Sequence, residues 1–274
     1  MEEAASSAAG AAAVATAAPT VTYERELDAS VERIWENVLD WEHLPHLHAQ
    51  AFSSIAVTAS GRGGWHGEVG LPSGGTAEID VALDRPALRY VTSTVAGAGA
   101  GTAIVTQMFP RTDRRTGIRV EFFLPWARPG AEEAIGSFYR DLYVVLWDQD
   151  EAMMRERQRV LDAGVAAPAP GEGVSLGSMR QLAPRLPLDV ELGGRRLRVV
   201  AIDGQLHAFD TRCPHLGGPL GARPLEGCEA VCPWHGYRFD VRTGASSDGR
   251  GLRLGRGASV QVSACDGEVR LVLR

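Results

Sequence analysis

Two pentapeptides near the C-terminus constrain this chain more than any other feature. Cys213-Pro214-His215-Leu216-Gly217 and Cys232-Pro233-Trp234-His235-Gly236 give Cys-x-His and, sixteen residues later, Cys-x-x-His. Two soft thiolates and two imidazoles on a pair of β-loops suit a [2Fe-2S] cluster in which one iron keeps cysteine and the other takes histidine. A mononuclear zinc ion is the rival chemistry. All four cysteines, Cys213, Cys228, Cys232 and Cys265, lie in the last quarter of the sequence and cannot staple the whole chain. With no leader in sight, such a cluster suggests metal before disulfide. Cys228 and Cys265 are read as buried or incidental thiols.

The surroundings of the two loops are strand-like. From about Met179, "VELGGRRLRVVAIDGQLHAFD" alternates short strands with a Gly-Gly and an Asp-Gly turn, and "SVQVSACDGEVRLVLR" repeats the pattern, so residues 179–274 are expected to be an all-β domain. The flanks "CPHLGGPLG" and "VCPWHGYRFDVRTG" resemble the Rieske family, and the likeness extends from Val190 to the end. That resemblance implies that Cys213 and Cys232 hold the inner iron of a [2Fe-2S] cluster, and His215 and His235 the outer, solvent-facing one. Histidine ligation raises the potential of such a centre, which accepts one electron at a time. Respiratory-type members carry an extra cysteine in each loop. Gly218 and Trp234 stand in those places here, so the domain resembles the ferredoxin or oxygenase branch.

At 274 residues, the chain has room for a second domain. Its composition, 45% hydrophobic and 23% charged with a net charge of −6, is that of a globular chain with no polybasic surface, which argues against a nucleic-acid partner. Residues 1–19 are Ala-rich, yet Glu2 and Glu3 stand where a targeting leader would need Lys or Arg. We read them as a disordered tail. No apolar run approaches the roughly 20 residues of a membrane-spanning helix. A cytoplasmic location with no membrane association is the expectation.

Residues 20–158 read as strand, helix, several strands and a long helix. "VTYEREL" is strand-like. "SVERIWENVLDWEHL" (30–44) carries Val31, Ile34, Trp35, Val38 and Leu39 at helical spacing, with Ser30 as N-cap. Short β-rich runs from Phe52 to Phe123, broken by Gly, Pro, Asp and Arg, predict an antiparallel meander. Residues 131–158 return to helical period through Ile135, Phe138, Leu142, Val145, Leu146 and Met153. The Ala-, Gly- and Pro-rich stretch 159–178 reads as a linker. The fold class is thus α+β: an antiparallel sheet with a long C-terminal helix, then an all-β domain.

"ENVLDWEHLPHLH" (36–48) fits Asn-x-x-Asp-x-x-His-x-x-x-x-His. This is similar to the mononuclear-iron motif of Rieske non-haem iron oxygenases, whose catalytic domain has the helix-grip fold shared with START-like and polyketide-cyclase proteins. The resemblance implies Fe(II) held by His43 and His48, with Asp40 bridging a cluster histidine and a ligand histidine, and Asn37 beside it. Residues five apart sit about 140° apart on a helix and could not converge on one ion. Pro45 is expected to break the helix at Leu44 and let His48 swing back toward His43, leaving His46 outside the site. A site of this class needs a carboxylate. Asp148 and Asp150 are both available, and on a helical wheel Asp150 lies nearer the apolar face. "QDEAMMRERQ" also resembles the family's carboxylate segment, with Asp150 at the matching aspartate. Asn37, Asp40 and His43 would otherwise form a solvated polar stripe.

The resemblance implies an oxygenase that takes O2, a small hydrophobic substrate and electrons from an external reductase, with or without a ferredoxin. It also implies a homotrimeric ring, as is common in the family. Hydroxylation or oxidative dealkylation is the expected reaction, and Phe122, Phe123, Trp126 and Tyr139 are candidate pocket residues. In the familiar oxygenases the cluster domain comes first, whereas here it comes second. "AGAGAG" (96–101) lacks the strand-turn-helix context of a dinucleotide-binding loop. The alternative is an iron-free helix-grip module that binds or cyclises a small molecule, fused to a Rieske electron carrier.

Overall fold

The computed structural model describes residues 18–164, 172–255, 258–262 and 267–273. Residues 1–17 of the expected tail lie outside it, as do Cys265 and residues 165–171 of the expected linker. The chain divides into two compact units between Arg155 and Glu156.

The first unit begins with β1 (Val21–Leu27), α1 (Val31–Leu39), a 3-10 turn at Trp41–His43 and the short α2 (Leu44–Leu47). There follow β2 (Ser54–Gly61), β3 (Gly64–Gly70), β4 (Thr76–Asp84), β5 (Arg89–Gly97), β6 (Ala103–Thr112) and β7 (Arg115–Phe123), then the long α3 (Glu132–Ala163). The seven strands form one sheet in the order β1-β7-β6-β5-β4-β3-β2, antiparallel at every pairing. This is the expected meander, with the first strand returning beside the last so that Val21 faces Phe122. Alternation places Thr116, Ile118, Val120 and Phe122 of β7 inward, and the core gathers Leu27, Ile34, Trp35, Met108 and Trp147 with them. A sheet gripped by a long helix is the helix-grip arrangement. Close approach requires glycine at position 64, where φ is +136° and a Cβ would stand 1.7 Å from the Val81 carbonyl oxygen.

Ser30 caps α1 as expected, its hydroxyl accepting from the Arg33 N–H at 3.3 Å. The helix ends sooner than the sequence suggests. Asp40 leaves helical geometry (φ −94°, ψ 72°), whereas Leu44 is helical (φ −51°, ψ −53°) and Pro45 sits in the first turn of α2. Proline breaks a helix interior, but in a first turn it has no bonded N–H to lose. Helix α3 likewise differs in phase: Phe138 and Val145 are exposed, and the buried face carries Trp147, Asp150, Met153 and Met154. Its outer side is tied to β1. Arg25 bonds Asp148 at 2.8 Å and Glu151 at 2.5 Å, and Glu151 also accepts from the Asp28 N–H at 2.7 Å.

The expected linker is shorter than 159–178. Helix α3 continues to Ala163, and β8 (Gly173–Ser178) is a strand. Its apolar residues are too few to announce it locally; pairing with a strand far along the chain creates it. After β8 come α4 (Met179–Leu182), a 3-10 turn at Ala183–Arg185, β9 (Leu188–Leu192), β10 (Arg195–Ile202), β11 (Gln205–Asp210) and a 3-10 turn at Leu220–Ala222. The last strands are β12 (Glu229–Val231), β13 (Arg238–Asp240), β14 (Ala258–Val262) and β15 (Glu268–Leu273). They form sheets β11-β10-β9, β12-β13 and β14-β15-β8. Two-residue hairpins join β9 to β10 at Gly193-Gly194 (φ 56° and 70°) and β10 to β11 at Asp203-Gly204 (φ 50° and 76°), the positive-φ pairs that strand twist demands. Leu197, Val199, Val269 and Leu271 fill the core between sheets.

Candidate metal centres

In the second unit the two Cys-His loops are built on one backbone pattern. The Cys213 N–H donates to Gly218 O (2.8 Å) and the Gly217 N–H to Cys213 O (2.9 Å); the Cys232 N–H donates to Tyr237 O (2.8 Å) and the Gly236 N–H to Cys232 O (2.9 Å). Gly217 (φ 87°) and Gly236 (φ 67°) turn the chain where L-residues are strained. The histidine stands third in one loop and fourth in the other, yet the rings meet at 4.6 Å and 78°. Cys213, Cys232 and His235 are buried, and His215 is half-buried. A hydrogen bond from the Cys213 thiol, against the cost of burial, pulls Cys232 well below the ordinary thiol range, helped by His235 and the backbone N–H groups of Trp234 and His235. A thiolate held among donors is a ready metal ligand. Gly218 lies against this pair: a Cβ there would stand 2.7 Å from Cys232 Sγ and 3.0 Å from the Trp234 ring.

In the first unit His43, His48 and Asp150 come together, buried, with one ligand atom from each lying within 4.8 Å of the others. His48 Nε2 is 3.0 Å and His43 Nε2 3.5 Å from Asp150 Oδ1. The two imidazole rings stand 4.9 Å apart and nearly perpendicular. Two imidazole nitrogens and a carboxylate oxygen this close together are a donor set that could hold a transition-metal ion. The break at Asp40, rather than Pro45, delivers the two histidines: His43 closes the 3-10 turn and His48 caps α2. His46, by contrast, is exposed.

Asn37 is buried and donates from Nδ2 to Asp150 Oδ1 at 3.0 Å, so the polar stripe of α1 faces the site and not solvent. Burial alone would raise the Asp150 carboxyl, but the hydrogen bond and charge of His48, the charge of His43 and the Asn37 amide hold it below the ordinary range. Burial also opposes a charged His48, yet the Asp150 hydrogen bond and charge outweigh it, with the Gln149 amide, and raise its pKa. Asp40 Oδ2 lies 3.8 Å from Nδ1 of His43, a buried atom that makes no hydrogen bond among the described residues. Asp148, the other candidate carboxylate, points outward to Arg25 with 62% of its side chain exposed.

Residues 173–253 match the Rieske [2Fe-2S] domain. Apoptosis-inducing factor 3 of Mus musculus is 41% identical over 64 residues, 23% of this chain and 11% of its own length. The oxygenase component of 3-ketosteroid-9-alpha-monooxygenase from Mycolicibacterium smegmatis is 34% identical over 65 residues, 23% of this chain and 17% of its own length. This chain therefore spans less than a fifth of either relative. A START superfamily protein from Mycobacterium smegmatis is similar in structure, at 18% identity with a TM-score of 0.40, over 51% of this chain and 98% of that one. Among the described residues no helix is long and apolar enough to cross a membrane.

The Rieske loops fit a [2Fe-2S] cluster by their chemistry: two buried sulfurs on one side, one of them held as thiolate, and two converging imidazoles on the other. Several neighbours have no signature in the sequence. Tyr237 stacks on the His215 ring (4.7 Å, 24°), and the Arg250 guanidinium covers Tyr237 at 4.0 Å and donates to its hydroxyl at 2.8 Å. Near the other centre, Gln149 Oε1 meets His48 Nδ1 at 2.8 Å and Gln50 Nε2 at 2.9 Å. The residues expected to line a pocket do not line the cavity at that centre. Phe122 is wholly core, Trp126 is 43% exposed and Tyr139 packs between them. The walls are instead Trp41, Phe52, Trp65, Tyr90, Tyr143 and Trp147. Aromatic type alone could not tell core from cavity.

Proposed function

We propose that this chain is a Rieske-type oxygenase that oxidises a small hydrophobic substrate at Fe(II) held by His43, His48 and Asp150. The observation that carries the reading is the convergence of two buried imidazoles and one carboxylate on the lining of a largely apolar cavity, in a chain that also has a Rieske domain. When bound there, Fe(II) would supply dioxygen activation, drawing electrons from a [2Fe-2S] centre of the same or a neighbouring copy. The overall change is RH + O2 + 2 electrons + 2 protons → ROH + H2O, which covers hydroxylation and the first stage of an oxidative dealkylation.

The protein's own residues perform the remaining tasks. Gln149 accepts the Nδ1 proton of His48, so Nε2 is the atom presented toward Asp150. Asn37 orients the Asp150 carboxylate. Asp40 faces the imidazole edge of His43, in keeping with the bridging role that the family resemblance implies. The tryptophan and aliphatic walls exclude water and receive apolar surface. Electrons come from an external reductase, through a ferredoxin where one is present. The homotrimer and a cytoplasmic location belong to the same proposal.

An iron-free binding module is favoured by one observation: the His48–Asp150 hydrogen bond at 3.0 Å compensates the buried carboxylate without a metal. Iron and acid-labile sulfide separate the two readings. Three irons to two sulfides per chain is the expected ratio, falling to two to two in His43→Ala while the visible Rieske spectrum is retained. Two to two in the parent chain excludes the mononuclear site.

A further inference from the structure

The cavity at the proposed iron site restricts what it can hold. Its volume is about 150 Å³. An apolar cavity of about that size admits benzene, whereas pockets for larger multi-ring ligands run to roughly 300 Å³ and above. Trp41, Trp65, Ile79, Val81, Leu146 and Trp147 supply apolar walls. Two polar groups of the lining are already used: the Trp65 indole N–H donates to Val38 O at 2.9 Å, and the Tyr90 hydroxyl bonds Thr106. Among the described residues no arginine or lysine lines the cavity; its charged groups are those of the proposed iron site and Asp40.

Tyr143 is different. It lines the cavity, and among the described residues no side-chain hydrogen bond to its hydroxyl is seen, unlike Tyr90 and Tyr139. Its ring is fixed edge-on to Phe122 at 4.7 Å and 83°, so the hydroxyl is carried by a rigid support. Burial and the neighbouring tyrosines and Asp150 push its pKa upward, which keeps it a donor.

We propose that this cavity takes a single-ring compound bearing one hydrogen-bond acceptor, for which Tyr143 is the donor, and excludes polycyclic compounds. The assignment rests on the oxygenase reading for the chemistry done to the ligand, but not for its binding. A fused multi-ring skeleton would exceed the space.

The test uses the full chain with its cluster reconstituted and Fe(II) added, kept anaerobic and without reductant so that nothing turns over. Acetophenone, toluene and the four-ring ketone androstenedione are titrated by calorimetry. Acetophenone is expected to bind saturably and toluene about fivefold more weakly, the weight of one neutral hydrogen bond. Tyr143→Phe brings acetophenone down to the toluene level and leaves toluene unchanged. Androstenedione shows no saturable binding. Androstenedione binding as tightly as acetophenone overturns the proposal, as does an unchanged acetophenone-to-toluene ratio in Tyr143→Phe. Leu146→Trp, which fills the cavity, is expected to abolish binding of both single rings; retained binding places them elsewhere and also overturns it. Iron analysis of the same samples keeps the two proposals apart. Ring binding with two irons to two sulfides leaves the ligand class standing and removes the iron chemistry, whereas tight androstenedione binding at three to two does the reverse.

Discussion

Replacing Gln149 by leucine tests how the helix carrying Asp150 also prepares a histidine on another element. The Gln149 amide oxygen lies 2.8 Å from Nδ1 of His48, whose other nitrogen is 3.0 Å from Asp150 Oδ1. For Nε2 to offer a lone pair to a metal, the ring proton must sit on Nδ1, and that proton needs an acceptor because His48 is 2% exposed. Leucine fills the space and accepts nothing. A buried donor left unsatisfied costs about 1–3 kcal/mol, and removal of such an outer partner weakens metal affinity about 10- to 100-fold. The measurement is an anaerobic Fe(II) titration against a competing chelator, with labile sulfide and the visible spectrum confirming an intact cluster. Gln149→Glu keeps an acceptor for Nδ1–H and is expected to hold iron at least as well as the parent. Gln50→Ala removes only an exposed amide and should shift affinity by about twofold or less. A leucine variant that binds Fe(II) as tightly as the parent, or a glutamate variant as weak as leucine, refutes the argument.

Three further outcomes follow from the geometry. Asp150→Ala should lose the third iron, whereas Asp148→Ala removes a mostly exposed pair with Arg25, worth about 0–1 kcal/mol, and should keep it on iron analysis. Gly218→Ala places a methyl 2.7 Å from Cys232 Sγ and beside the Trp234 ring; it should cost about 1–3 kcal/mol and lower cluster occupancy by absorbance, while Gly63→Ala, with open space around it, should not. The metal-free pair should show a stability window. His48, raised from 6.5, contributes fully below that value and loses its contribution as pH rises through its folded pKa; Asp150, lowered from 3.8, contributes above that value and loses it as pH falls through its folded pKa. Thermal melts of the metal-free chain should therefore show the excess over His48→Phe largest between about pH 4 and 6.5, and Fe(II) affinity should rise with pH as His48 deprotonates.

Much of the second unit was legible because its chemistry is local. Gly193-Gly194 and Asp203-Gly204 demand tight hairpins wherever they stand, and each Cys-His pentapeptide closes a turn with its own glycine. Ser30 announced the start of α1 for the same reason: the bond it makes spans three residues. The ends were less legible. Pro45 is compatible with both a break and a first turn, and only packing decided that the chain leaves the helix at Asp40. Strand β8 was hidden in an Ala-, Gly- and Pro-rich run, because its partner β15 lies some ninety residues away.

The sequence by itself determined the types and spacings of the donors: two thiolates and two imidazoles on paired loops, two further histidines five residues apart, and a helix offering Asp148 and Asp150. A spacing states which atoms are available. It does not state which way they face. The tertiary structure alone decided that Asp150 turns inward while Asp148 meets Arg25, that Asn37 reaches across 113 residues to the same carboxylate, that Gln149 meets His48 and that Tyr143 lines the cavity. Those decisions follow from the packing of one helix on one sheet. A shift of a single residue in that helix's register would turn each of these side chains by about 100° and dissolve the site without changing a letter of the motif.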